Sequence, residues 1–124
     1  MAYQITDKKV LENWRNEKFL KKDMRKIKKE IYKNFGLTPR GYKEIDIMAR
    51  KTDNAYFLCN IGQWPEERKE NTYDYDIYIF DVNGKLIYDE ANGELPKYKC
   101  YERFHNIKRI TYEEFFKGDD LNEL

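Results

Sequence analysis

Apolar residues in the first third of the chain recur at the spacing of an α-helix. Five of them would share one face, at steps of four, three, four and four residues: Leu20, Met24, Ile27, Ile31 and Phe35. Trp14 lies off this face, so we expect a bend or short break over residues 13–16. With Thr6 as N-cap and Gly36 after the last turn, the pattern predicts a long helix over about residues 7–35.

In the middle of the chain the apolar positions recur at every second residue, which is typical of β-strands. Residues 42–50 and 55–61 alternate in this way around a polar turn, so they predict a β-hairpin. Residues 73–82 alternate more strongly. The Asn83-Gly84 pair that follows predicts a type I′ turn, because both residues tolerate a positive φ, and then a partner strand over residues 85–89.

Two further stretches carry weaker signals. Residues 62–72 contain Pro65 and a run of charged side chains, which indicates an exposed loop with one helical turn after the proline. Asn92-Gly93 and Pro96 indicate another turn. Residues 97–104 then either add a fifth strand or lie outside a four-stranded sheet.

The end of the chain and the order of the elements define the fold class. Thr111 with Glu114 three residues later forms a capping box, which predicts a short helix. The chain is then one α+β domain over residues 1–124, in which a long N-terminal helix packs on a four- or five-stranded antiparallel sheet in two layers. The basic helix, antiparallel sheet, short C-terminal helix and acidic tail cover about residues 7–35, 42–104, 112–117 and 119–124.

Length and composition narrow the class of protein. A chain of 124 residues suits one domain, and no apolar run approaches the roughly 18 residues of a membrane span. Cys59 and Cys100 stand far apart without a CxxC pair, and His105 is the single histidine, so we expect reduced structural cysteines and no metal site. Without a signal-peptide pattern or a catalytic motif, we expect a cytoplasmic protein with no membrane partner, no cofactor and no enzyme activity.

Charge is sorted by position along the chain. Residues 1–41 carry 12 Lys and Arg against 5 Asp and Glu, whereas residues 42–124 carry 12 against 18. The formal net charge of +1 therefore hides a basic first third and an acidic remainder. Such an asymmetry indicates charged partners, either a protein, a protein–nucleic acid complex or a nucleic acid, because opposite fields steer the two parts towards different surfaces.

The acidic strand is the first candidate binding surface. Asp74, Asp76 and Tyr78 alternate along one face of the strand, so successive carboxylates would stand about 6.6 to 7 Å apart. Together with Trp64 they would form an acidic aromatic face that fits a basic groove on a partner. Alternatively, they are ordinary outward-facing strand residues near a sheet edge, and Trp64 covers the end of the sheet.

The basic helix is the second candidate binding surface. Its cations would neutralise phosphates and make binding strongly dependent on salt. Asp23 and Glu30 interrupt the basic run, and a solvated outer face explains the same pattern without a ligand. The side chains that would contact a nucleic acid are Lys21, Lys22, Arg25, Lys26 and Lys29.

Together these patterns favour a non-catalytic interaction protein that binds and inhibits or modulates a larger protein or protein–nucleic acid complex. The alternative is a nucleic-acid-binding module that uses the basic helix. The order of elements resembles the double-stranded-RNA-binding arrangement, although Tyr112, Glu113 and Glu114 replace the basic run of that family's C-terminal helix. In size and composition the chain is similar to phage-encoded anti-CRISPR proteins, and this resemblance, which covers no motif, implies an inhibitor.

Overall fold

Helices and an antiparallel sheet make up an α+β fold, as the sequence predicts. The computed structural model describes residues 3–38, 40–52, 55–68, 70–108 and 113. The helices are α1 (Lys8–Arg15), α2 (Lys21–Asn34) and α3 (Lys97–Ile107), with a short 3-10 helix at Pro65–Glu67. The strands are β1 (Lys43–Lys51), β2 (Tyr56–Gln63), β3 (Thr72–Phe80) and β4 (Leu86–Pro96), and neighbouring strands pair antiparallel in the order β1-β2-β3-β4.

The predicted N-terminal helix is two helices, α1 and α2, with a break where the apolar pattern shifts. Glu17 lies in this break with a φ of 58°, a left-handed conformation that interrupts helical hydrogen bonding. The N-cap of α1 is Asp7, not the predicted Thr6, because the Asp7 carboxylate accepts hydrogen bonds from the backbone N–H groups of Lys9 and Val10. Helix α2 ends at Asn34, one residue before the predicted end, with Phe35 as its C-cap.

The hairpin between β3 and β4 has a longer turn than the predicted type I′ turn. Gly84 has the positive φ, 85°, whereas Asn83 does not. The backbone of Asp81 bonds with Lys85, and its side chain accepts from the N–H groups of Asn83 and Lys85 at 2.9 and 3.0 Å. This is a three-residue loop with glycine in the left-handed position, stabilised by an Asp side chain that caps it.

The last described third of the chain departs most from the sequence predictions. Asn92-Gly93 lies inside β4 at a register shift, a β-bulge, and not in a turn. Residues 97–104 belong to helix α3 and not to a fifth strand, and Pro96 is its N-cap. Of the predicted helix over residues 112–117 only Glu113 is described, and it is helical, while the tail over residues 119–124 lies outside the described residues.

Both faces of the sheet are covered, so the domain has three layers and not the predicted two. Helices α1 and α2 pack on one face, and α3 packs on the other. Strand β2 is buried along its whole length. Its sequence, YFLCNIGQ, is apolar or aromatic on both faces over most of its length, which is typical of a strand that is covered on both sides.

Trp14 and both cysteines lie in the core. Trp14 is fully buried over the sheet, with edge-on ring contacts to Phe19, Tyr56 and Phe80 at centroid distances of 5.4 to 5.6 Å. Cys59 and Cys100 are both buried and unbridged, as expected for structural cysteines. None of the described helices combines the length and the apolar composition that crossing a bilayer requires.

Candidate functional site

The predicted acidic aromatic face is buried beneath helix α2. Asp74, Asp76 and Tyr78 do share one face of β3, but only 7%, 2% and 3% of their respective surfaces are exposed. The prediction that they point to solvent is wrong, because α1 and α2 cover this face while α3 covers the face of Ile77 and Ile79. Their role in partner binding stays a prediction that their buried positions do not support.

Asp76 is at the centre of this buried polar region. Its Oδ2 accepts a hydrogen bond of 2.5 Å from the Tyr32 hydroxyl and one of 3.3 Å from Asn60 Nδ2. Burial and the neighbouring charge of Asp74 raise the pKa of Asp76 to about 7, although the two hydrogen bonds favour its charged form. The contact to Tyr32 ties α2 to the middle of the sheet.

Trp64 covers the end of the sheet and is not an exposed anchor. It is half-buried, and its Nε1 donates to Asp74 Oδ2 over 3.3 Å. Its ring stacks on Tyr32 at a centroid distance of 6.1 Å and meets Tyr42 edge-on at 4.9 Å. Burial raises the pKa of Asp74, and the Trp64 hydrogen bond opposes that shift.

Lys28 is the one cation of α2 that points towards the sheet. Only 7% of its surface is exposed, and its Nζ lies 3.9 Å from the ring centroid of Tyr42 and 5.5 Å from that of Tyr32. Among the described residues it has no hydrogen-bond or ion-pair partner. Burial lowers the pKa of Lys28 to about 8, although the charges of Glu44, Asp76 and Asp74 oppose this shift.

Tyr42 is held in place by two residues of β2. Its hydroxyl accepts a hydrogen bond of 2.9 Å from Asn60 Nδ2. The ring lies directly over Gly62, where an added Cβ would stand 1.9 Å from the tyrosine oxygen. Glycine at this position therefore leaves the space that the Tyr42 ring occupies, because any side chain would displace it.

The other basic residues of α2 are exposed, as the sequence predicts. Arg25 pairs with Glu44 at 2.8 Å, and Lys26 stands 3.9 Å from Asp7. We define the basic face of α2 as its exposed cations, of which all except Arg25 and Lys26 lack an ion pair with any described residue: Lys21, Lys22, Arg25, Lys26, Lys29 and Lys33.

A cavity of about 550 Å³ opens between α2 and the beginning of β1. We call it the basic pocket, and its lining residues are Lys22, Arg25, Lys26, Lys28, Lys29, Tyr32, Tyr42 and Glu44. The sequence analysis named four of the five cations that line this pocket. It did not predict that Lys28 is buried, and it did not include Tyr32 or Tyr42 among the candidate residues. The available signal was spacing, since Lys28 follows Met24 by four residues on the buried side of the helix.

The chemistry of this region is that of binding anions. Among the described residues, no group of three or more His, Cys, Asp and Glu side chains could hold a metal ion. The pocket presents ammonium and guanidinium donors, a combination that suits a phosphate or carboxylate. Comparison with known protein families, curated proteins and solved structures finds no match for this chain.

Proposed function

We propose that this protein is a non-catalytic binding module that engages the phosphates of a nucleic acid, alone or within a protein–nucleic acid complex, through the basic face of α2. One observation carries the proposal. All of these cations are exposed, and only Arg25 and Lys26 have an acidic partner among the described residues. Cations without such partners on a rigid helix are available to neutralise phosphates and release their counterions.

The dimensions of α2 agree with this function. A helix of 14 residues is about 21 Å long, so its exposed cations can reach several phosphates of a nucleic acid. Asp23 and Glu30, the two acidic residues of α2, do not block it, because Asp23 is half-buried and Glu30 accepts a hydrogen bond from the Tyr3 hydroxyl. Buried cysteines that form no disulfide, Cys59 and Cys100, suit a reducing compartment and support a cytoplasmic location as part of this proposal.

The test is the salt dependence of binding to DNA and RNA, single- and double-stranded, between about 50 and 200 mM salt. A quadruple Lys→Gln variant removes four cations of the basic face: Lys21, Lys22, Lys26 and Lys29. A matched control variant removes the same charge from exposed lysines elsewhere: Lys8, Lys9, Lys85 and Lys108. We expect the first variant to lose up to about 3.6 units of the log–log salt slope and the control to keep it. Equal losses in both variants would overturn the proposal.

A second candidate function is inhibition of a larger protein or protein–nucleic acid complex, as anti-CRISPR proteins carry it out. The exposed tyrosines of α3 favour it, because Tyr98 is 65% exposed and Tyr101 is 39% exposed on the layer opposite to α2. Tyrosine supplies large, rigid contact area at a protein interface. DNA cleavage by an RNA-guided nuclease would fall when the protein is added, and Tyr98→Ser would restore it. Unchanged cleavage would contradict this candidate for that nuclease class.

A further inference from the structure

Lys28 occupies an unusual position at the wall of the basic pocket. An ammonium group has three N–H donors, and removing it from water costs several kcal/mol unless acceptors replace the water. The aromatic ring of Tyr42, 3.9 Å away, compensates for only part of that loss, and no described residue accepts a hydrogen bond from Lys28. Lys28 lines the pocket, so an anion that enters it can supply an acceptor that the described residues do not.

The other lining residues and the volume of the pocket indicate which kind of anion fits. Five cations line the cavity against a single carboxylate, Glu44, which is already paired with Arg25. The wall thus favours an anion with several oxygens, such as a phosphate. A volume of about 550 Å³ lies within the range of small-molecule sites, roughly 300 to 1,000 Å³, so it has room for more than a phosphate. Of its two tyrosines, Tyr42 is half-buried and Tyr32 is only 3% exposed, so the cations supply most of the surface that a ligand can contact.

We infer that the basic pocket binds the phosphate of a nucleoside monophosphate group on Lys28 and the cations around it. This inference rests on the proposed function in one respect, because the 5′-terminal nucleotide of a strand carries the same group as a free mononucleotide. Either source presents a phosphate with more charge and more free oxygens than an internal phosphodiester. The pocket would therefore distinguish strand ends from internal phosphates on the basic face of α2.

The first experiment is calorimetric titration of the protein with AMP, GMP, CMP and UMP, and with adenosine as the ligand without phosphate. Lys28→Met removes the charge and keeps the length of the side chain, and replacing a buried charge by an apolar side chain of similar volume is often neutral for stability. Lys9→Met is the matched control, because Lys9 is exposed on α1 and does not line the pocket. Thermal unfolding checks that both variants are folded.

We expect at least one mononucleotide to bind, Lys28→Met to weaken that binding at least tenfold, and Lys9→Met to leave it unchanged. Adenosine should not bind measurably. The inference is wrong if none of the four mononucleotides binds, if Lys28→Met binds them as the wild type does, or if adenosine binds as well as AMP. A charge effect at long range would weaken both variants equally and would also overturn the inference.

A second experiment distinguishes a free nucleotide from a strand end as the source of the phosphate. It also distinguishes failure of the pocket inference from failure of the proposed function. Oligonucleotides of one sequence are compared with a 5′-phosphate and with a 5′-hydroxyl. A preference for the phosphate that disappears in Lys28→Met identifies the strand end as the source, whereas mononucleotide binding with no such preference identifies the free nucleotide. If mononucleotides bind and oligonucleotides do not, the pocket inference stands and the proposed function fails. If oligonucleotides bind but neither ligand depends on Lys28, the proposed function stands and the pocket inference fails.

Discussion

The Tyr32 hydroxyl donates a hydrogen bond of 2.5 Å to Oδ2 of Asp76, which joins helix α2 to the buried centre of strand β3. Lys28 lies one helical turn away, within electrostatic reach of Asp74 and Asp76. The basic helix therefore packs on the acidic strand. Some of the opposite charges that lie apart in the sequence are neighbours in the fold. The surfaces that stay available to a partner are the basic face of α2 and the basic pocket at its edge.

The Tyr32–Asp76 bond is testable by removing only the hydroxyl. Tyr32→Phe leaves the ring stacked on Trp64 but leaves a buried carboxylate without its shortest donor. We expect a loss of about 1 to 3 kcal/mol in the free energy of unfolding, measured by urea denaturation. Tyr98→Phe is the control, since Tyr98 is 65% exposed, and it should change stability very little. Equal stability of the two variants would show that the bond contributes nothing.

Asp76 also predicts how stability depends on pH. Its pKa is about 7 in the fold and near 3.9 in the unfolded chain, so between those values the folded protein holds the proton more tightly. Its contribution to stability is fully present below about pH 4 and is lost as the pH rises through 7. The pKa of Lys28, lowered from 10.5 to about 8, affects stability only above that range.

Asp76→Asn removes this titration and keeps the side chain polar and neutral. We expect the variant to gain about 2 to 4 kcal/mol relative to wild type at pH 7.5 and little at pH 4, from denaturation curves at a series of pH values. The raised pKa of Asp74 leaves a smaller slope in the variant. Asp89→Asn, at an exposed strand position, should reproduce the wild-type profile. A variant profile parallel to that of wild type would contradict the assignment to Asp76.

The sequence predicts which residues of β3 share a face, but it does not predict which face is buried. Period two correctly placed Asp74, Asp76 and Tyr78 on one face, because alternation is a local property of the strand. Their burial depends on Tyr32 and Trp64, which come from other elements. Local pattern reasoning assigns carboxylates to solvent by default, and it misses partners that satisfy a buried carboxylate from a distance in sequence.

Helix α3 was missed for a different reason. Cys100, Phe104 and Ile107 recur at steps of four and three residues and are all buried, so a helical pattern was present. Charged and tyrosine residues stand between them and obscured this pattern, and the Asn92-Gly93 pair indicated a turn before a candidate fifth strand. In the fold a β-bulge absorbs this pair, and Pro96 ends the strand. Neither the spacing of the buried residues nor the Asn92-Gly93 pair by itself predicts a helix on the second face of the sheet.

Gly62 predicts a steric coupling at the wall of the basic pocket. A Cβ at this position would stand 1.9 Å from the Tyr42 oxygen and 2.1 Å from its Cζ, so Gly62→Ala must displace the ring. We expect a loss of about 1 to 3 kcal/mol in unfolding free energy, typical of overpacking. In a Tyr42→Ala background the same change should cost much less, because the clash is gone. Additive effects in this double-mutant cycle would show that the two residues do not interact.

Arg103 and Glu90 form the ion pair that anchors α3 to β4. Arg103 Nη1 lies 3.2 Å from Glu90 Oε2, with side-chain exposures of 7% and 20%, and Glu90 also accepts from the Tyr88 hydroxyl at 2.6 Å. Glu90 supplies Arg103 with a counter-charge in a mostly buried site, so Glu90→Gln should lower the unfolding free energy by about 3 kcal/mol.

Replacing both charges separates the cost of an uncompensated charge from the value of the pair itself. We expect the Arg103→Met and Glu90→Gln double variant to recover most of the stability that Glu90→Gln loses, because both charges of the pair are then removed. Glu44→Gln is the matched control at an exposed pair, where solvent screens the interaction with Arg25 and the change should be small. If Glu90→Gln were as mild as Glu44→Gln in urea denaturation, the pair with Arg103 would contribute little to holding α3 on the sheet.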